Sequence, residues 1–345
     1  MKKAIISILF FALLFSVNAQ ENNDCALKLK EAQDQYDIGV IEGIDSLISD
    51  CLENGFTREE KLQAYKLLIN ALIFDDDLPS AEKYMLSFLR KFPEYQIAAT
   101  DPSEFVDLLN QFNNNPRSSI GIILGGNFGN VRVIEPVSLN GTKDAGAKYR
   151  NSGLGFQAGI IYNINLGSFI EISLEPMYVQ SRFEYNAQPY TFADVEYTEK
   201  QDRIDFPVSC VFTFSKGKFV PYARLGAKAA YLLSASSNSQ RTYVNTSEPL
   251  NPVTGSDIEI MDNRLNINYW AVLGGGLRYK IPGAYIFLDV RYNLGLQNQV
   301  NTDSRFDGND DNTWLYLYRQ DDFYLDDLSF SMGIAKTIYR PKRKK

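Results

Sequence analysis

The 345-residue chain contains no histidine. Its absence removes the usual general base, the Ser-His-Asp and Cys-His arrangements and the commonest zinc ligand, so enzyme readings begin without their ordinary parts. Basic residues are outnumbered, 35 against 42 acidic for a net charge of −7, and they collect at the two ends, which argues against nucleic acid as a partner. Long apolar runs are missing too. Only Ala4 to Val17 forms one, and it is too short to span a bilayer. Lys2 and Lys3 precede that run and Val17-Asn18-Ala19 supplies small residues before Gln20, the layout of a cleaved secretory signal over 1–19. Cys25 does not read as a lipidation site, because Asn22-Asn23-Asp24 lacks the small apolar residues that lipidation needs.

Alternation is what the chain has in abundance. From Ala284 to Gln297 the residues Ile286, Leu288, Val290, Tyr292, Leu294 and Leu296 are apolar, while Asp289, Arg291, Asn293 and Gln297 between them are polar. A period of two is a strand with one apolar and one polar face. Strands of this kind are expected over roughly 118–132, 149–165, 168–187, 194–214, 218–234, 256–280, 284–297 and 323–339. The connections at Asn165-Leu166-Gly167, Lys216-Gly217 and Pro282-Gly283 are tight, whereas 133–148, 235–255 and 298–322 are long and polar. An exported chain of amphipathic strands is either a soluble sandwich or an outer-membrane barrel. Loop asymmetry, an even strand count and 13% aromatic residues favour the antiparallel membrane barrel, with its short turns in the periplasm.

The faces follow from that choice. Lipid-facing candidates include Ile120, Ile122 and Leu124; Leu154, Phe156 and Ile160; Ile170, Ile172 and Leu174; Phe206, Val208 and Phe212; Leu328, Phe330, Met332 and Ile334. Their alternates, Glu171, Glu175, Asp205, Tyr222, Arg224, Lys228, Arg278, Asp289 and Arg291, point inward, where acids and bases from different strands must neutralise one another. Gly121, Gly125 and Gly129 fall on the same inward face and read as barrel packing, since no strand-turn-helix context or lysine makes them a phosphate loop. About eight strands leave an interior that side chains fill, so general porin activity is not expected.

Arg203-Ile204-Asp205-Phe206-Pro207-Val208, a tight turn, then Val220-Pro221-Tyr222-Ala223-Arg224-Leu225-Gly226 and Tyr231-Leu232-Leu233 resemble the PorT-type outer-membrane β-barrel family over about 118–340. The resemblance implies an eight-stranded barrel in bacteria that possess type IX secretion, in which some relatives take part. It supplies no catalytic residues. The ending Ile338-Tyr339 followed by Arg340-Pro341-Lys342-Arg343-Lys344-Lys345 departs from the terminal aromatic of many such barrels.

Residues 24–112 carry a helical period instead. Leu27, Leu29, Ala32 and Tyr36 fit one helix; Ile41, Ile44, Leu47, Ile48 and Cys51 a second; Leu62, Tyr65, Leu68, Leu72 and Ile73 a third; Ala81, Tyr84, Met85, Phe88 and Leu89 a fourth. Counted back from Pro93, Tyr65, Leu68, Leu72, Ala81 and Met85 fall near the packing positions of a tetratricopeptide repeat, which the second hairpin resembles although Ile69 stands where a small residue is usual. Such helices either form a plain bundle or present a surface to another protein. Cys25 and Cys51 lie about equally far from the turn at Gly39, so antiparallel packing brings them together, and a periplasmic disulfide there is worth about 3 kcal/mol. Asn113-Asn114-Asn115-Pro116 ends the helical part, with a linker over 113–117.

Other chemistry is thin. Asp303, Asp307, Asp310 and Asp311 lack the spacing of a calcium loop, so neither metal nor cofactor is expected. Trp314, Tyr316 and Tyr318 in the same loop, with Tyr65 and Tyr84 in the helices, are candidate partner contacts. The basic tail 340–345 either stays solvated or meets anionic headgroups or an acidic partner, and Cys210 reads as an inert thiol on the lipid side. The expected protein is a non-catalytic outer-membrane barrel carrying a periplasmic helical domain over 21–112. Its expected partners are outer-membrane lipid and other outer-membrane or periplasmic proteins, as in a secretion or assembly machine. An enzyme acting on lipid or glycan, and a structural or adhesive surface barrel, are the alternatives.

Overall fold

The computed structural model describes residues 18–137, 148–150, 153–190, 192–244, 251–305, 315–316 and 318–344, so the expected signal peptide lies, up to Val17, outside the described residues. The chain divides into two compact units, residues 1–115 with 339–345, and residues 116–338.

The first unit holds α1 (Asn18–Asp37), α2 (Ile44–Asn54), α3 (Arg58–Phe74), α4 (Leu78–Lys91) and α5 (Ser103–Asn110). Their three- and four-residue spacing buries Leu29, Ala32, Ile44, Ile48, Leu68, Ala81, Met85 and Phe88 in one core, although Leu27 faces outward. Two caps set the second hairpin. Thr57 and Glu60 exchange hydrogen bonds in a capping box at the start of α3, and Asp77 accepts from the Ser80 amide at the start of α4. Cys25 and Cys51 form a disulfide with Cα atoms 5.7 Å apart. Helix α5 was not anticipated, being only eight residues long and set apart by Pro102, yet its Phe105 packs edge-on to Phe88 and both are fully buried.

Asp101 ties the segment before α5 to α3. It pairs with Lys66 and accepts hydrogen bonds from the Tyr95 hydroxyl and the Ala98 amide at 2.5 and 2.8 Å. Burial pushes the Asp101 carboxyl up, but the hydrogen bonds from Lys66, Tyr95 and the Ala98 amide outweigh it and hold the pKa below the ordinary value. A carboxyl depressed in the folded state stabilises above its unfolded pKa, and that contribution is lost as pH falls through the folded one. Acid should therefore loosen this unit below the ordinary carboxylate range. Asp101→Ala should cost about 2 kcal/mol at neutral pH and flatten that acid dependence, as read by helical circular dichroism during pH and urea titrations.

The strands are β1 (Phe112–Asn113), β2 (Pro116–Glu135), β3 (Lys148–Arg150), β4 (Gly155–Asn165), β5 (Ile170–Leu174), β6 (Met177–Tyr190), β7 (Ala193–Thr213), β8 (Phe219–Tyr243), β9 (Val253–Thr254), β10 (Ile258–Glu259), β11 (Ile267–Ile281), β12 (Ala284–Gly295), β13 (Asp322–Tyr339) and β14 (Lys342–Arg343). In the second unit β2, β4, β5 with β6, β7, β8, β11, β12 and β13 act as eight staves, and β13 is hydrogen-bonded back to β2, so the ring closes. Closure removes the free sheet edges that hydrocarbon does not tolerate. The turn between β11 and β12 is two residues long, and Gly283 supplies its positive φ of 73°.

Several boundaries differ from expectation. The third stave breaks at Glu175-Pro176, because proline has no N–H for the ladder, and resumes as β6. Strand β8 runs to Tyr243 instead of ending near 234, pairing Ser234 to Tyr243 with Asp202 to Ala193 of β7. Its small polar residues look like a loop in sequence yet remain in register. Conversely 256–266 is not the start of a long strand: β10 pairs briefly with β8, a 3-10 turn at Met261–Asn263 follows, and Arg264 turns into the interior. The expected 113–117 linker shrinks to Asn114-Asn115, since Asn113 belongs to β1 and Pro116 to β2.

Residues 340–344 of the basic tail are ordered within the helical unit. Strand β14 pairs antiparallel with β1, Arg343 bridges to Glu82 at 2.6 Å and donates to Gln111, and Lys344 donates to the Asn110 carbonyl at 2.7 Å. Of the alternatives for the tail, the unpacked one does not hold for these residues: Arg343 and Lys344 stay exposed, yet they bond α4 and the carbonyl end of α5.

Candidate functional site

The outer wall of the barrel is apolar. Ile120, Ile122, Leu124, Phe156, Ile160, Phe206, Val208, Phe212, Phe330 and Met332 are exposed as the alternation requires, as are Ile286, Leu288 and Val290 of β12. Ile172 and Leu174 are half-buried, and the Cys210 thiol is exposed on the same wall.

Inside, charge is arranged in layers. Toward the short-turn end Arg278 bridges to Glu171 at 2.7 Å, and Asn163, Ser119 and the Tyr285 hydroxyl hydrogen-bond one another. Above them Glu175 meets Arg224 at 2.6 Å and also Arg291; Asp289 meets Arg224 at 3.1 Å, pairs with Arg291, and accepts from the Tyr222 hydroxyl at 2.6 Å. In the next layer Asp205 pairs with Arg203 at 2.9 Å and Lys228 at 3.0 Å, and Asp327 pairs with the same two cations at 3.3 and 3.1 Å. The Trp270 ring lies 4.4 Å from the Lys228 ammonium and 5.1 Å from the Arg203 guanidinium, and the indole donates to the Leu325 carbonyl. Highest of all, Glu199 pairs with Arg264 and accepts from Tyr197 and Gln201.

Six acids (Glu171, Glu175, Glu199, Asp205, Asp289, Asp327) thus face six bases (Arg203, Arg224, Lys228, Arg264, Arg278, Arg291), and this network sums to zero. All eight charges read from the sequence lie in this network. Four others belong to it as well. Arg203 and Glu199 share the parity of Asp205, and Asp327 that of Ser329 and Ser331, so alternation carried further along β7 and β13 would have found them. Arg264 had no such signal, because it enters from a turn.

Room for these long side chains comes from small neighbours. A Cβ on Gly276 would overlap the Tyr222 phenol and the Leu288 carbonyl. Gly276→Val should therefore cost about 2 kcal/mol by overpacking, seen as a lower urea midpoint for the folded, heat-modifiable band in vesicles, whereas the same change at Gly167, whose Cβ position is open, should leave that midpoint in place.

A cluster of Phe183, Tyr185, Val195, Tyr197, Tyr318, Phe323 and Leu325 closes the interior toward the long loops, with the Tyr197 and Tyr318 rings stacked 3.9 Å apart. Tyr318 and Tyr316 are therefore buried, and neither is offered to a partner as expected. Trp314 lies outside the described residues. In the helical unit Tyr65 is also core, against Phe88 and Phe92, because the packing position that singled it out faces inward. Tyr84 is half-buried and donates to Asp45 at 2.7 Å, joining α4 to α2.

Chemically the interior is dominated by ion pairs. Each carboxylate of the six-by-six network faces a cation, and such pairing holds the walls together. Among the described residues no cluster of three or more side chains suited to a metal occurs, and no helix is long and apolar enough to cross a membrane.

No curated protein matches the sequence. Among solved structures the chain is similar to Neisserial surface protein A at 13% identity, covering 64% of this chain and 97% of that one with a TM-score of 0.30. It is also similar to OprG of Pseudomonas aeruginosa, at 11% identity, 65% and 96% coverage and a TM-score of 0.37. Ail, the attachment invasion locus protein of Yersinia pestis, matches at 11% identity, 64% and 99% coverage and a TM-score of 0.27. The family model described as outer membrane protein beta-barrel domain matches residues 110–301, which take in the ring from β2 to β12. With an apolar wall outside, a closed antiparallel ring and an ion-paired interior, the chain belongs to that outer-membrane β-barrel family.

Proposed function

We propose that the protein is a non-catalytic outer-membrane anchor. In this reading a narrow barrel of PorT type carries a periplasmic, tetratricopeptide-like helical domain that binds other proteins, as one component of a type IX-like secretion machine or an outer-membrane protein-assembly machine. The observation that carries the proposal is the filled interior: six acids paired against six bases, with an aromatic cluster above them, occupy the space that a pore or a substrate site would need. Activity then falls to surfaces, and the helical unit is a compact unit of its own that can present one. Its periplasmic side is supported by the chain order, since β2 starts at the short-turn end and short turns face the periplasm in bacterial barrels.

Gentle detergent purification of the tagged full-length protein tests this. Companion proteins should co-purify with it and be lost on deleting 21–112, while the barrel keeps its heat-dependent gel mobility. A single species without companions, or companions kept after the deletion, overturns the proposal.

A further inference from the structure

One end of the helical unit is both apolar and acidic. The turn between α1 and α2 and the turn between α3 and α4 share that end, because successive helices reverse direction and Tyr84 of α4 bonds Asp45 in the first turn of α2. At these turns Ile38 is 77% exposed, Val40 47%, Phe74 73% and Leu78 48%. Positive φ at Gly39, Gly43 and Asp76 turns the chain sharply there. Such side chains ordinarily fold back into a core, and four of them standing out on two adjacent turns make a contact patch rather than scattered surface apolars.

The charge around the patch has one sign. Between Glu31 and Leu47, and again between Asn70 and Glu82, there is no lysine or arginine, whereas Asp34, Asp37, Glu42, Asp75 and Asp76 surround the apolar residues. The cations of the unit lie elsewhere, including Arg58 and Lys61 at the start of α3 and Arg90 and Lys91 at the end of α4. An acidic rim repels the anionic headgroups that would otherwise attract an apolar tip, and it draws in a cationic one.

We propose that this tip is a docking site for a cationic amphipathic segment of a partner protein, whose apolar residues cover Ile38, Val40, Phe74 and Leu78 while its lysines or arginines meet the surrounding carboxylates. The site rests on the reading that the helical unit binds protein, and it names where and what chemistry. Phe74 is the central anchor, since a large exposed ring gains most from desolvation. Salt should weaken the contact, because its charged rim is solvent-exposed.

The test uses the full-length protein in detergent micelles and a fluorescein-labelled helical peptide of leucine and lysine, with a leucine–glutamate peptide of the same pattern as control, followed by anisotropy. The lysine peptide should bind and the glutamate peptide should not. Ile38→Ser with Phe74→Ser should weaken binding at least ~10-fold. Asp75→Asn with Asp76→Asn should weaken it several-fold and reduce its salt dependence. Asp77 is left in place because it caps α4. All four replaced side chains are exposed, and an unchanged helical melting transition confirms that each variant is folded. Equal binding by wild type and both variants, or equal binding of the two peptides, overturns the site. Companions that are lost on deleting 21–112 but kept by the Ile38 and Phe74 variant also overturn it while leaving the proposed function standing. Companions kept after the deletion overturn the function itself.

Discussion

Glu175→Gln should destabilise the barrel by about 3–5 kcal/mol, the cost of breaking a buried ion pair by removing one partner. Glu175 is fully buried and accepts from Ser173 and Arg224, both at 2.6 Å, and from Arg291. The amide that replaces it keeps the shape but not the charge, so two guanidinium groups would share Asp289 alone. The local backbone offers little relief. Pro176 follows immediately, and the Glu175 amide already donates to the Pro207 carbonyl across the break between β5 and β6. Urea titration of the folded, heat-modifiable band in lipid vesicles measures the loss. Glu175→Gln combined with Arg224→Met restores neutrality and should recover a large part of it. A single variant whose midpoint stays where the wild type has it would show that the interior charges are solvated and that the neutral-core account is wrong.

Removing the disulfide should act on the other unit alone. Cys25 in α1 and Cys51 in α2 are joined across a sequence separation of 26 residues, and restricting a loop of that length in the unfolded chain is worth about 3 kcal/mol in the chain-entropy model. The bond is also built in: a Cβ on Gly55 would overlap the Cys25 sulfur, so the end of α2 is shaped around it. Cys25→Ser with Cys51→Ser, or reductant added to the wild type, should lower the melting temperature of the helical circular-dichroism signal by several degrees. The heat shift of the barrel on gels should not move. A helical transition indifferent to reductant would show that α1 is held by its apolar face without the bond.

Where alternation is long and hydrogen bonding is local, sequence reads well. Staves β12 and β13 appear within a few residues of their expected limits because apolar and polar residues keep strict order there. Reading fails where the signal is not hydrophobic. The outer half of β8 is built from Ser234, Ser236, Ser237, Asn238, Ser239 and Gln240, a composition that says loop, and only its pairing with β7 makes it strand. Arg264 could not be placed from a turn sequence, although it anchors the uppermost charge layer. Tyr65, Tyr316 and Tyr318 show the opposite limit: aromatic character marked them, but a tyrosine serves a core as readily as a contact surface, and burial is decided by neighbours far away in the chain. The acidic rim around Phe74 was legible as residues but not as a place, because it takes two turns brought to one end to make it.

The layered interior also bears on how errors are rejected while the sheet zips. Sliding β8 by one residue would carry Arg224 and Lys228 onto the wall and Leu225 and Tyr231 into the centre, and the same slip in β12 would expose Asp289 and Arg291 in exchange for Leu288 and Val290. Each arginine or lysine set against the bilayer midplane costs about 2–4 kcal/mol, and each cation withdrawn strands a carboxylate inside. A misaligned sheet thus pays on both surfaces at once, so the charge pattern proofreads strand pairing through energies that hydrophobic residues alone could not supply.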